Sequence, residues 1–445
     1  MSSDAATASL SPAGTATGAV AGKKDSLAEV MAASMVGTAI EFYDNYCYSI
    51  AAATYFAVVF FPQMDAVLGT LYSLVTFAVS FLARPFGSLL FGHFGDKLGR
   101  KKTLVVALMM MGIATFVVGI LPGFATLGAV SVVLLCVCRA CQGIGLAGEW
   151  SGAALVATEN APSDKRAMYG SFPNLGAPIG FFFAYGINLV LTTALTQDQM
   201  LAFGWRIPFL LSALLVIVGL IVRLRMSETP VYRKAAAENR VSKTPLRDML
   251  KFHWKQVLLG TFAMGITYTL FYTLGTWSLS YGVKSLGFAQ NEYLVMLMVG
   301  AIFFAVFILV GCKLADVHGR KVVLLAATGA TFVFGFLFPL FLSSQHNVPL
   351  VLAFICLGFV CMGVLFGPCG AYLPELFPTK VRYSGAGFSY NLAAILGGAF
   401  TPYIATLLVA NFGIASVGWF LSFMALLALV ALLLFKETKH VDYEH

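Results

Sequence analysis

Charge is what this chain has least of. Only 11% of its 445 residues are Asp, Glu, Lys or Arg, and the mean hydropathy is +0.85, so there is too little polar side chain to clothe a soluble globule of this length. Histidine is scarce as well. His93, His253, His318, His346, His440 and His445 all fall near the polar breaks or ends of the chain, which disfavours histidine metal chemistry or a histidine relay inside an apolar segment. The eight cysteines lie almost entirely within apolar runs and give no disulfide framework. Cys136, Cys138 and Cys141 crowd one such run without a nearby His and read as small apolar packing. No metal and no cofactor is expected, and no nucleophile with a base beside it points to an enzyme. The formal charge of +8 comes without a basic face interleaved with aromatics, so it is no nucleic-acid footprint.

Long apolar runs are present instead. A helix needs about 20 apolar residues to cross a bilayer, and twelve runs qualify, near 29–61, 66–94, 102–121, 126–158, 167–194, 203–225, 255–282, 290–311, 320–343, 348–374, 381–410 and 412–435. Basic loops stay in the cytoplasm. With the N-terminus inside, every Lys and Arg falls on the cytoplasmic side except Arg84, Arg139, Arg206 and Lys284. The expected organisation is a disordered cytoplasmic tail over 1–27, a six-helix bundle over 28–225, a basic cytoplasmic linker over 226–254, a second bundle over 255–436 and a short cytoplasmic tail over 437–445. Residues 1–27 lack the cationic start and short apolar core of a cleaved leader. The linker is expected to lie at the anionic inner leaflet.

The two bundles repeat each other. Gly95-Asp96-Lys97-Leu98-Gly99-Arg100-Lys101 is echoed by Ala315-Asp316-Val317-His318-Gly319-Arg320-Lys321, 220 residues on (316 minus 96), each time as the hinge between two apolar runs. Glu159-Asn160-Ala161-Pro162 with Arg166 is echoed by Glu375-Leu376-Phe377-Pro378 with Arg382, and Glu228 by Glu437. One six-helix unit written twice is a transporter architecture. Asp96, Arg100, Glu159, Arg166, Glu228, Asp316, Arg320, Glu375, Arg382 and Glu437 gather at the inner mouth and are expected to form a cytoplasmic gate of interhelical salt bridges.

Charges inside the runs are few. Glu41 lies about thirteen residues into the first run, roughly 20 Å deep, and Asp44 follows on the same face. Arg139 reaches a comparable depth in the fourth run and Glu149 lies nearer the inside; Arg84 is the charge of the second. An ionised group at such depth is costly unless it is paired or lines a polar cavity. Each acid therefore either pairs with an arginine or carries a functional proton, with Glu41, Asp44, Arg139 and Glu149 as the candidate set. The second-half runs hold no mid-membrane charge and offer hydroxyls, amides and rings instead. Candidate substrate contacts are Tyr43, Asn45, Arg84, Arg139, Gln142, Asn174, Tyr268, Tyr272, Trp277, Tyr390 and Asn391.

The doubled turn, Arg139-Ala140-Cys141-Gln142-Gly143 and the doubled Glu-x-x-Pro loops resemble the major facilitator superfamily. Gly37-Thr38-Ala39-Ile40-Glu41-Phe42-Tyr43-Asp44, Ala83-Arg84-Pro85, Gly148-Glu149-Trp150, Trp205-Arg206-Ile207-Pro208-Phe209 and Glu375-Leu376-Phe377-Pro378-Thr379 with Arg382-Tyr383 resemble its metabolite:proton symporters, a group that includes shikimate, 2-oxoglutarate, citrate and proline/betaine carriers of bacteria. The likeness covers about residues 28–440. It implies an all-α membrane protein with twelve transmembrane helices in two pseudo-symmetric six-helix bundles, both termini cytoplasmic, multi-pass in the bacterial inner membrane. It further implies a monomer that takes up a small polar metabolite, an organic acid, with protons by alternating access. Cys312 stands where the second turn would have its leading glycine. Gly176-Ala177-Pro178-Ile179-Gly180 partly resembles the glycine-proline element of drug:proton antiporters, so a proton-driven exporter is the alternative, with uptake of a zwitterionic solute as another.

Overall fold

The computed structural model describes residues 27–98, 100–225, 245–378 and 381–441; it is helical, with no strand among them. The helices follow the apolar runs because a backbone in hydrocarbon must satisfy every N–H and C=O within its own segment. They are α1 (Leu27–Thr54), α2 (Ala66–Leu98), α3 (Arg100–Ile120), α4 (Ala129–Glu159), α5 (Arg166–Ala194), α6 (Ile207–Arg225), α7 (Trp254–Lys284), α8 (Gln290–His318), α9 (Arg320–Phe336, continued by Phe338–Leu342), α10 (Val348–Glu375), α11 (Arg382–Phe412) and α12 (Ile414–Leu434). Ten of them are long and apolar enough to cross a bilayer by composition alone. The other two are α1, which contains Glu29, Glu41 and Asp44, and α9, which is interrupted at Leu337.

Within each half the packing repeats. In the first, α1 packs on α5 and α6, α2 on α4, and α3 on α4 and α6; in the second, α7 packs on α11 and α12, α8 on α10, and α9 on α10 and α12. The halves meet where α5 lies against α8 and α2 against α11. Glycine sets the closest crossings, since TM helices gain from tight backbone approach. On α5, a Cβ at Gly180 would sit 2.6 Å from the carbonyl oxygen of Ala39 on α1. The corresponding crossing in the second half is tighter: a Cβ at Gly397 of α11 would sit 2.0 Å from the carbonyl oxygen of Gly265 on α7. Gly397 lies within a π-helical turn, Ile395–Ala399 in α11, and α7 has another at Thr273–Trp277; such turns concentrate at functional sites.

Gly397→Ala should therefore force backbone against backbone and lower the thermal denaturation midpoint in detergent, by an overpacking cost of about 2 kcal/mol. Gly329→Ala on α9, whose added methyl would meet nothing within 4 Å, should leave the midpoint unchanged or raise it. Equal effects of the two would remove the crossing as the explanation.

Candidate functional site

The deep charges do not pair with one another in the way their depths suggest. Arg139, 1% exposed, forms no ion pair with Glu41 or Asp44 among the described residues. Its Nη1 donates to Gln142 Oε1 at 2.8 Å, and its Nη2 to Asn45 Oδ1 at 3.4 Å and to the Phe77 carbonyl at 3.3 Å. Its guanidinium carbon lies 3.9 Å from the centre of the Tyr48 ring and 5.3 Å from that of Phe77, so the charge is held by dipoles and by ring faces. From there a continuous chain of side chains runs to Asp44. Gln142 Nε2 donates to Thr115 Oγ1 at 2.8 Å, the Thr115 hydroxyl donates to Asp44 Oδ2 at 3.0 Å, and the Ser212 hydroxyl donates to Asp44 Oδ1. Asp44 is thus hydrogen-bonded on both oxygens.

Glu149 takes a different partner, Arg223 on α6, in a buried ion pair. The second nitrogen of that guanidinium, Nη1, donates to the Leu104 carbonyl at 2.8 Å. Gly37 makes room for the pair, because a Cβ there would lie 2.6 Å from Arg223 Nη2 and 3.1 Å from Glu149 Oε1. Glu41 has no ion pair among the described residues, and its Oε2 is buried without a hydrogen-bond partner. Arg84 Nε, Tyr46 Oη and Tyr268 Oη are buried and unpartnered as well. A polar atom in this condition costs free energy until something bonds to it.

These atoms share one region between the halves. The Arg84 guanidinium lies 4.2 Å from the centre of the Phe81 ring. Tyr272 packs edge-on against both Phe77 and Phe81, each at 5.4 Å, and stacks at 6.4 Å on Tyr268. Tyr268 meets Tyr390 at 5.2 Å, and Tyr390 lies parallel to Trp150 at 3.8 Å. Asn45 Nδ2 on α1 donates to Tyr272 Oη on α7 at 2.8 Å, and Ser49 is bonded to Thr276 at 2.5 Å, so the halves are hydrogen-bonded across the centre.

Not every candidate residue comes together there. Tyr43 donates its hydroxyl to the Pro208 carbonyl at 3.1 Å and faces an apolar groove of about 420 Å³ between α1, α5 and α6. Asn174 lies on the inner side, accepting from Trp150 Nε1 and donating to the Phe366 and Gly367 carbonyls. Asn391 bonds Ser88 and the Ala147 carbonyl, joining α11 to α2 and α4. Trp277 stacks on Tyr281 at 4.9 Å. The sequence reading missed Thr115, Ser212 and Arg223. It placed Arg223 with the cytoplasmic basic residues, and the available signal was a cation just inside the end of an apolar run, at the depth where Glu149 needs one.

Hydrogen bonds close both mouths. On the outer side Lys284 Nζ reaches Thr70 at 3.0 Å, Gln290 reaches Tyr55 at 3.2 Å, and Thr192 bonds Asn291. On the inner side the side chains of Asp96, Arg100 and Glu228 lie outside the described residues. Among the described residues of the expected gate, interhelical ion pairs are present in the second half. The ion pairs Asp316–Arg320 at 3.3 Å and Arg320–Glu375 at 3.4 Å lie within the second half, and Glu437 accepts from the backbone of Arg320 and Lys321. Arg382 donates to the Phe377 carbonyl within the same half, and Glu159 is half-buried at the end of α4. What crosses is Asp316, whose two oxygens accept the N–H groups of Ala167 and Met168 at 3.0 and 2.9 Å. These are free donors of the first turn of α5, where a carboxylate also meets the positive end of the helix dipole. Arg166 to the Val441 carbonyl and Tyr383 to the Gly148 carbonyl add to the closure.

The sequence pattern of a family described as sugar (and other) transporters matches residues 30–445. The chain is 52% identical over 93% of its length to the inner membrane metabolite transport protein YhjE of Escherichia coli strain K12, covering 94% of that protein. It is 36% identical to the shikimate transporter of the same organism, over 85% of this chain and 87% of that one. It is 30% identical to the proline/betaine transporter of Salmonella typhimurium, over 93% and 84%. Among solved structures, the proton:xylose symporter XylE of the major facilitator superfamily superposes with a TM-score of 0.76 at 18% identity, over 94% of this chain and 98% of that one; this is a likeness of fold.

Asp316→Asn keeps the shape but loses the charge facing the first turn of α5. Amide hydrogen exchange of a peptide spanning 163–175 should accelerate severalfold in the variant. Unchanged protection would mean that Asp316 does not hold the inner mouth.

Proposed function

The chain belongs to the sugar (and other) transporter family of the major facilitator superfamily, and from that premise we propose that it is a proton-coupled symporter taking up a small organic acid by alternating access. It is a multi-pass transport protein of the bacterial inner membrane, and its relatives are carriers rather than enzymes. The observation that carries the substrate reading is Arg84. Arg84 is 3% exposed, its Nε has no partner, and α2, on which it stands, lies at the seam with α11. An arginine in that setting offers charge-assisted, planar hydrogen bonding to a carboxylate. Arg139 is less available because its nitrogens already donate to Gln142, Asn45 and Phe77. Shikimate, proline and betaine, the compounds in the names of relatives, each carry a carboxylate. Tyr268, Tyr272 and Tyr390 supply the wall against which the rest of such a molecule would pack.

The proton is assigned to Glu41. Symport needs a carboxyl that is neutral in one setting and ionised in another; burial favours the neutral form and a nearby guanidinium the charged one. Asp44 is already bonded on both oxygens and Glu149 is already paired, which leaves Glu41 as the acid without a fixed partner. A second reading, uptake of a zwitterion, is favoured by the same pair of charges, since Glu41 and Arg84 act on each other electrostatically across the site.

Thermal-shift screening of the purified protein against carboxylates, zwitterions and neutral polyols identifies the ligand class, because a true ligand stabilises by mass action. Carboxylates, with shikimate as the first probe, should raise the midpoint. Arg84→Gln should weaken that binding at least about tenfold, the loss of one charge-assisted contact of roughly 1.5 kcal/mol or more. Polyols binding equally well, with affinity unchanged in Arg84→Gln, would end the organic-anion reading; zwitterions binding better than simple acids would favour the second reading.

In proteoliposomes with an imposed pH gradient, labelled ligand should accumulate on the alkaline side. Glu41→Gln should abolish that accumulation yet retain counterflow exchange. Accumulation that survives Glu41→Gln and fails in Asp44→Asn would move the role three residues along α1. Flux in the opposite direction under the same gradient would make the protein an exporter.

A further inference from the structure

The Glu149–Arg223 pair is the one buried ion pair of the first half among the described residues, and it is not placed at random with respect to Glu41. Glu149 is 1% exposed and Arg223 6%. Both press against Gly37, whose absent Cβ would stand 2.6 Å from Arg223 Nη2 and 3.1 Å from Glu149 Oε1. Gly37 precedes Glu41 by four residues, so the pair occupies the same face of α1 one turn nearer the cytoplasm. Side chains on a helix tilt toward its N-terminus. Glu41 therefore leans toward the pair, and its Oε2 is unpartnered.

The charged and titratable groups that act on Glu41 are Glu149 from α4, Arg84 from α2, Arg223 from α6 and Asp44 from its own helix; Tyr46 and, from α11, Tyr390 also feel it. Of these, Arg223 alone is a cation already bound to a second carboxylate on the cytoplasmic side of Glu41.

We propose that Arg223 is shared in turn between Glu149 and Glu41, and that its transfer from the first to the second passes the coupling proton toward the cytoplasm. The inference rests on the assignment of the proton to Glu41. In the arrangement seen, Arg223 holds ionised Glu149. When the guanidinium moves to Glu41, the O–H bond of the Glu41 carboxyl breaks, the proton passes through water to the Glu149 carboxylate, and a new O–H bond forms there. Arg223 keeps its own protons, so two carboxyl groups, one mobile proton and one cation are conserved and no uncompensated charge is left in the membrane. Glu149 then releases the proton to cytoplasmic water and takes Arg223 back as Glu41 is reprotonated from the outer side, which returns the arrangement seen. Arg223 is thus a positioning residue for proton transfer, and Gly37 is the space that lets it reach both acids.

The test needs no substrate. Infrared titration of the purified full-length protein follows the carboxyl C=O stretch, with the Glu41 band assigned by its loss in Glu41→Gln. Arg223→Gln removes the cation and should raise the proton affinity of Glu41 about tenfold or more, one pH unit in midpoint. Glu149→Gln frees Arg223 for Glu41 and should lower it by a similar factor, while Arg223→Lys should stay within about threefold of wild type because the charge is retained. The relay requires opposite signs in the first two variants, and shifts of the same sign, or none, overturn it. The field of a static pair gives opposite signs as well, so the relay further requires a Glu149 carboxyl band, assigned by its loss in Glu149→Gln, that grows as the Glu41 band falls in wild type; its absence overturns the relay. If Arg223→Gln does not fold, Glu149→Gln and the wild-type Glu149 band decide: a lowered Glu41 affinity together with a Glu149 band that grows as the Glu41 band falls supports the relay, and failure of either overturns it. A wild-type protein in which no Glu41 band titrates would refute the assignment of the proton to Glu41 itself, an outcome distinct from a Glu41 band that titrates identically in all variants.

Discussion

An ionised group inside a bilayer must be matched by charge or dipole, and the first six helices are arranged around that requirement. The cost of an unmatched charge there is several kcal/mol, comparable with much of a protein's net stability. Each deep charge has a distinct solution. Arg139 is distributed over an amide, a carbonyl and two ring faces. Asp44 accepts two hydroxyls, and Glu149 has Arg223. Glu41 and Arg84 keep unpartnered atoms, and they face the seam between the bundles. The groups left unsatisfied are the ones positioned to change partners.

The second half contributes a different chemistry to the same region. Its central helices present Tyr268, Tyr272, Tyr390 and Thr276, and two of these bond directly to Asn45 and Ser49 of α1. At its inner end Asp316, Arg320, Glu375 and Glu437 form one connected cluster. Repetition of the fold has therefore not meant repetition of function. The doubled turn survives in the second half as a helix cap: Asp316 reaches across to the start of α5, and a one-residue carboxylate becomes a contact between bundles. Comparable hydrogen bonds join the halves at the outer mouth.

Tight helix crossings hold each half together. Gly180 against Ala39 and Gly397 against Gly265 bring backbones together within each half; between the halves Gly370 approaches Gly170 in the same way, and the other contacts include ring packing and side-chain hydrogen bonds at the centre and the two ends. Bonds of that kind exchange for others at modest cost. Packed backbones do not.

The amino-acid sequence by itself determined the properties that depend on local composition and on position along the chain. The apolar runs specify helices because lipid offers no other partner for the backbone. The distribution of Lys and Arg orients them, the echo from Asp96 to Asp316 divides the chain into halves, and the count of residues from a helix end places Glu41 and Arg139 at depth. The tertiary structure decided the partners. Depth alone suggested Arg139 as the match for Glu41 or Asp44, but which side chains meet depends on which helices are neighbours and on how each is rotated about its axis. Neither is written in hydropathy. Placing α6 beside α1 and α3 brings Ser212 to Asp44 and Arg223 to Glu149, and the missing side chain of Gly37 lets the latter pair close against α1. The same rotation turns Tyr43 outward to Pro208, away from the residues it neighbours in sequence.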